Sequence, residues 1–457
     1  MQGIEQPSPS FTPGKCFSVL LFVLTIGACA NRSYKETNAK FLDDMTQSEC
    51  PTLPERLNFF NVEIEKPIVV SSVSGKQSDY VNDYLDWYGR AQVYPMNVRF
   101  TEDGRLFVGY HILNGNSVTQ EIAQVNLENN SITSKISIPG LGIRDFLVDG
   151  DAVVALYLLK YQVNSSQRYA TRMRIRKQKI SGEVVFDKDL SNFTSKPLHR
   201  GKVVKRNSTY AAYFGIEKYF PKLREYHQGN YLAEISHDGT NLQKSYDWIC
   251  SHSIDQDILQ FEKEMLPICV SDYYTEGLNI QTNGRRVNLI PDRKQYNGFG
   301  AMTYGSSVKL DNVAYVIFNS SYGRLKGGSN RASFWGLRDI ALTSIDLSKP
   351  SRSSGKKWLT NTKASDYGER VSIIDQDKLL VTYFTRGNMN MQAQIFSVSH
   401  TQANQLELIP TSKKYELPIL MDQIQIPAVS PNGDVFFAGY LNQDGPKIQL
   451  AKIATCK

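Results

Sequence analysis

One recurring pattern constrains the fold of this chain more than any other feature. Residues 98–110 (VRFTEDGRLFVGY) read as a strand, a tight turn at Asp103-Gly104, and an apolar strand ending in Gly109-Tyr110. Residues 428–440 (AVSPNGDVFFAGY) repeat the pattern with Asn432-Gly433 at the turn. Asp-Gly and Asn-Gly favour the positive-φ turns that close β-hairpins. Weaker copies occupy 146–157, 308–318 and 372–383, and fainter hairpins lie near Arg206-Asn207 and Glu262-Lys263. The supply of Tyr (25) and Phe (21) favours strands over helices. No stretch sustains helical periodicity; the most helix-like piece, 78–88, is brief.

These hairpins make about seven turns at intervals of roughly 45–65 residues, a period typical of propellers and related arrays. The expected fold class is all-β: a single β-propeller over 61–457, with seven four-stranded antiparallel blades. The last strand, 447–453, is expected to share a blade with an N-terminal strand near 62–70 and so close the ring. Six or eight blades, or a pair of β-sandwiches, are the alternatives.

Ahead of the body, residues 16–29 read CFSVLLFVLTIGAC. This apolar run is too short for the ~20 residues of a transmembrane helix, but it fits a signal-peptide core. Lys15 supplies a weak positive flank. Ile26-Gly27-Ala28-Cys29 resembles the lipobox of bacterial lipoproteins. That resemblance implies removal of residues 1–28, a lipid on the Cys29 thiol, and a tether over 29–60. Ala30 is not the Asp that often marks inner-membrane retention in that family, so the resemblance implies the outer membrane. Ala28-Cys29-Ala30 also satisfies the A-x-A pattern of ordinary cleavage, which leaves soluble secretion open. A cytosolic protein with an apolar N-terminus is the third reading. N-x-S/T sites stand at Asn31, Asn129, Asn164, Asn192, Asn207 and Asn319, of consequence in a host that glycosylates secreted proteins.

The cysteines fit export. Cys16 leaves with the signal and Cys29 takes the lipid, so Cys50, Cys250, Cys269 and Cys456 remain. An even number in an exported chain reads as two disulfides. The preferred pairing is Cys250–Cys269, flanking a hairpin, and Cys50–Cys456, joining the ends of the body. Four buried free thiols are the competing reading.

Candidate chemistry is sparse. Bridging Cys250 to Cys269 would pin His252, Asp255 and Asp272 near one another, and a His with two carboxylates is a weak candidate for metal binding or acid–base work. A structural corner is the alternative, because metal-ligand spacings such as H-x-x-x-H are absent. No resident metal and no cofactor are expected. The other histidines, His111, His199, His227, His237 and His400, are isolated in sequence. Arg172, Arg174 and Arg176 alternate with Met173 and Ile175, so they share one face of a strand. That face is a weak anion-binding candidate, or a charged outer strand that discourages edge pairing. The Gly- and Arg-containing loop 322–331 lacks the Walker pattern. Residues 236–240 (SHDGT) resemble the Asp-box of sialidase-type propellers with the spacing off by one, and 180–184 (ISGEV) resemble a quinoprotein blade turn. Each occurs once.

A net charge of +7 suits an anionic surface and does not by itself argue for nucleic acid, so no nucleic-acid partner is expected. The expected function is a lipid-anchored cell-envelope propeller, held to a membrane by its N-terminal lipid. It would serve as a non-catalytic binding or assembly platform, with a protein or glycan partner on a propeller face. The alternatives are a propeller-fold enzyme acting on a glycan or lactone around His252, Asp255 and Asp272, and a soluble secreted binding protein.

Overall fold

Every hairpin in the repeat series becomes the same piece of the fold. In a computed structural model, the described residues are 51–64 and 96–455, apart from 115–116, 141, 163–168, 192–194, 221–223, 248–249, 251–255, 262–263, 272–276, 283, 292–301, 321–337, 363, 365, 376, 386–387, 389, 403–404, 420–426 and 442–446. All regular elements among them are strands. After β1 (Leu57–Glu63), blade 1 comprises β2 (Asn97–Phe100), β3 (Leu106–Asn114), β4 (Ser117–Asn126) and β5 (Ser131–Ile138). Blade 2 comprises β6 (Gly142–Asp149), β7 (Ala152–Gln162), β8 (Tyr169–Lys179) and β9 (Val184–Asp189). Blade 3 comprises β10 (Ser195–Lys205), β11 (Thr209–Phe220), β12 (Glu225–Ser236) and β13 (Leu242–Asp247). Blade 4 comprises β14 (Gln256–Phe261), β15 (Glu264–Ser271), β16 (Gly277–Thr282) and β17 (Arg285–Pro291). Blade 5 comprises β18 (Met302–Leu310), β19 (Val313–Ser320), β20 (Asp339–Asp346) and β21 (Lys357–Trp358). Blade 6 comprises β22 (Asp366–Asp375), β23 (Lys378–Thr385), β24 (Met391–Gln402) and β25 (Gln405–Pro410), and β26 (Tyr415–Leu417) also pairs with β24. Blade 7 comprises β27 (Ala428–Val429), β28 (Val435–Leu441), β29 (Lys447–Ile453) and, returning from the other end of the chain, β1.

The protein is therefore a seven-bladed β-propeller with four antiparallel strands per blade. The seven hairpins of the sequence series all join the first strand of a blade to its second. Their backbone follows from their residues: Gly104 has φ +84°, Gly433 φ +87° and Asp311 φ +50°, conformations that Gly, and less readily Asp, can adopt. First strands of successive blades touch in a closed cycle and form the inner wall.

Closure uses β1 as the outermost strand of blade 7, in register from Leu57↔Ile453 to Glu63↔Lys447. The strand starts ahead of the 62–70 stretch expected from sequence, so residues 57–60, placed by sequence in the tether, belong to the ring. Leu53, before the strand, is already buried in the cluster between blades 6 and 7. The ends are also tied by the Ala454 N–H, which donates to the Arg56 carbonyl at 3.1 Å, and by Arg56 Nε, which donates to the Ala454 carbonyl at 2.7 Å.

Apolar side chains pack between blades rather than at one centre. Val62, Leu450, Phe436, Val98, Val108 and Tyr110 join blade 7 to blade 1, and Leu156, Met173, Phe186, Tyr210 and Phe214 join blade 2 to blade 3. Between blades 3 and 4, the described residues Ala211, Tyr213 and Ile258 form a buried cluster, with Val204, Leu232 and Met265 packed against it.

Because strands alternate in direction, each rim of the ring collects one set of connections. At one rim the turns are five residues or shorter, apart from 347–356. The opposite rim collects the longer segments, among them 64–96 and 321–338. The chain enters the ring at the tight-turn rim, where Leu57 pairs with Ile453.

Candidate functional site

The inner wall is held by polar bonds that cross from blade to blade. Arg99 of β2 is ion-paired with the nearly fully buried Asp145 of β6. The other oxygen of Asp145 accepts the Val203 N–H of β10 at 2.9 Å. Lys202 lies 3.9 Å from Asp257 of β14, whose Oδ2 accepts the Tyr304 hydroxyl at 2.9 Å and the Ser307 hydroxyl at 3.0 Å from β18. Ser306 then accepts the Val371 N–H of β22 at 3.0 Å. Buried first-strand groups thus find partners in the next blade, as buried polar groups must.

Beneath the long-connection rim lie three further buried polar groups. His111 of β3 is fully buried beside Gln120, and its pKa is pushed down to about 3 by burial, with the Arg144 charge adding to the effect. It is therefore a neutral imidazole at physiological pH. Between blades 3 and 4, Asn230 Nδ2 donates to Gln256 Oε1 at 2.8 Å, and Asn230 Oδ1 accepts the Cys250 N–H at 3.2 Å. Between blades 5 and 6, Arg338 donates to Asn319 Oδ1 at 2.9 Å and Asn319 Nδ2 donates to Glu369 at 3.1 Å. Nearby Asp366 is fully buried and accepts the Thr362 and Thr385 hydroxyls. Burial raises its pKa despite those bonds.

The tight-turn rim carries a different group at the seam of blades 2 and 3. Asp149 accepts from Lys205, from the Tyr210 hydroxyl and, at 3.4 Å, from Lys177. Lys177 Nζ lies 5.2 Å from the Tyr210 ring centroid, and the His237 ring packs on Tyr210 at 4.5 Å. Burial would raise the Asp149 pKa, but the Lys205 and Tyr210 bonds and the two lysine charges outweigh it and hold the carboxyl at about 2.

The residues singled out by sequence divide into three sets. Cys250 and Cys269 form a disulfide, fully buried, tying the β13–β14 connection to β15. His252, Asp255 and Asp272 lie outside the described residues, as do Cys29, Cys50, Cys456, the helix-like piece 78–88 and loop 322–331. Arg172, Arg174 and Arg176 do share one face of β8, but each pairs with a carboxylate of β9: Arg172 with Asp189 at 2.6 Å, Arg174 with Asp187 at 2.8 Å, and Arg176 with Asp187 at 3.1 Å. Three guanidinium groups thus share two carboxylates of the neighbouring strand, which offset most of their charge. The Asp-box-like turn is formed, with Asp238 Oδ1 accepting the Ser236 hydroxyl and the Thr240 N–H and hydroxyl. Among the described residues no His, Cys, Asp and Glu group gathers in a metal-holding arrangement. The three buried rim groups escaped the sequence reading because their members lie on different strands; only the shared position near strand ends connects them.

The sequence matches no protein-family model and no curated protein. The fold is similar to hydrazine synthase of Kuenenia stuttgartiensis, with a TM-score of 0.50 and 12% identity over 80% of this chain and 96% of that one. A Dos1 propeller aligns with a TM-score of 0.42 and 10% identity over 81% of this chain and 82% of that one. An oligogalacturonate lyase in complex with manganese aligns at 0.43 and 10% over 78% and 88%. At these identities the likeness concerns the fold, and propellers host unrelated activities.

Proposed function

We propose that this propeller is a lipid-anchored binding platform of the cell envelope, tethered through Cys29, with its partner engaged by the long-connection rim. The supporting observation is the polarity of the ring. The chain enters at the tight-turn rim, whereas the longer connections leave from the opposite one. A tether that joins the ring at the first rim leaves the second rim away from the point of attachment. Sequence freedom concentrated in loops on a rigid scaffold is the usual arrangement for recognition. The inner-wall carboxylates Asp145 and Asp257 are engaged in bonds between blades, which suits a scaffold.

The test is membrane fractionation of the full chain and Cys29→Ala. Wild type should be labelled by fatty acid and sediment with membranes, and the variant should be soluble. Unchanged sedimentation of the variant would overturn the anchor. In vesicles bearing the lipidated protein outward, a protease site placed within 321–337 should be cut faster than one at Asn432-Gly433. Equal cutting would remove the proposed polarity.

The enzyme reading keeps one supporting observation: the Cys250–Cys269 bridge exists, flanking the segments that carry His252, Asp255 and Asp272. Metal analysis of wild type and His252→Ala tests the metal form of that reading. A bound cation lost in the variant supports it; an equal metal content in both rejects it.

A further inference from the structure

A groove of about 680 Å3 runs along the outer wall where β1 of blade 7 meets β5 of blade 1. Its volume is that of a small-ligand site. Asn61 and Glu63 come from β1, and Asn129, Asn130, Thr133 and Lys135 from β5 and the turn before it. Tyr110 closes the floor, its hydroxyl donating to Glu121 at 2.7 Å.

Most of the polar side chains in this groove are neutral amides and hydroxyls. One acid and one base complete the lining: Glu63 is exposed, with Lys447 Nζ at 4.0 Å, and Lys135 Nζ lies 3.9 Å from the largely buried Glu121 behind the groove. Asn130 is the informative member. Its Oδ1 is buried and has no hydrogen-bond partner among the described residues. Its backbone is left-handed, at φ +54°. A buried acceptor without a donor costs roughly 1–3 kcal/mol, a cost that a hydrogen bond donated by a molecule entering the groove would offset. Amides and hydroxyls side by side match a ligand whose every hydroxyl both donates and accepts. A strongly anionic ligand would meet Glu63.

We propose that the groove between blades 7 and 1 is a saccharide-binding site for a short neutral oligosaccharide, with Asn130 Oδ1 accepting a ligand hydroxyl. The site lies on the wall of the ring and does not depend on the lipid anchor or on the long-connection rim. It exists only because the ring is closed by its first strand.

The test is saturation-transfer NMR and calorimetry on the full chain in detergent, with chitotriose, cellotriose and maltotriose as probes. Asn130→Gly removes the acceptor and keeps the left-handed backbone at little conformational cost. Asn61→Ala is the second variant, and melting temperatures verify folding. Wild type should receive saturation transfer with at least one probe, and both variants should bind it at least about tenfold more weakly at unchanged melting temperature, the scale of one lost hydrogen bond. If Asn130→Gly does not fold, Asn61→Ala decides. No transfer to any probe, affinity unchanged in the variants, or binding of an extended peptide in place of the sugars would overturn the proposal.

Discussion

Asp149 shows how one side chain can couple the stability of this ring to pH. Its carboxyl, ordinarily near 3.8, is held at about 2 by Lys205, Tyr210 and Lys177. A depressed folded-state pKa stabilises the protein above the unfolded value and stops doing so as pH falls through the folded one. The contribution is therefore full above about pH 4 and lost toward pH 2. Asp149→Asn should lower stability at neutral pH by ~1 kcal/mol, a figure discounted for solvent screening. It should also flatten the loss of stability between pH 4 and pH 2, read by urea denaturation across that range. None of this could be read from the chain: Asp149 was visible as a turn residue, whereas its partners stand on β8, β10 and β11. The arginines of β8 teach the same point. No acid lies within the run itself, yet Asp187 and Asp189 sit opposite once β9 folds back.

Among the elements, the hairpins were the legible part. Turn chemistry is local, so Asp103-Gly104 and Asn432-Gly433 announce the same bend before any partner strand is known. Blade seams are not local, and they differ. At the seam of blades 3 and 4, beside the apolar cluster of Ala211, Tyr213 and Ile258, Tyr213 donates to Cys269 Sγ at 3.6 Å while the Cys250 N–H donates to Asn230. The disulfide, spanning 19 residues, braces this seam. Replacing Cys250 and Cys269 with Ser should cost about 3 kcal/mol by the chain-entropy argument. Hydrogen exchange should then rise first in β11, β14 and β15; a uniform rise across all blades would show that the bridge acts on the unfolded chain alone.

For the whole molecule, the critical junction is between the first and last strands of the ring. β1 completes blade 7, and hydrogen bonds tie Arg56 to Ala454 beside it. Cys50 and Cys456 follow on either side in the sequence, outside the described residues. A bond between them would close a very long loop, for which the entropic model gives the upper end of the range, about 5 kcal/mol. Peptide mapping of unreduced protein should recover a Cys50–Cys456 cross-link. Free thiols at both positions would leave the ring closed by strand pairing alone.

Alternating apolar residues and turn residues at regular intervals were enough to specify strands, hairpins and an all-β array, because each of those depends on neighbours a few positions away. The exact start of the closing strand, the pairing of Asp145 with Arg99, the gathering of the longer connections on one rim and the groove beside Asn130 depend on strands brought together from distant parts of the chain. Contacts of that kind leave no local mark in a sequence; they come into being when the first strand is laid against the last.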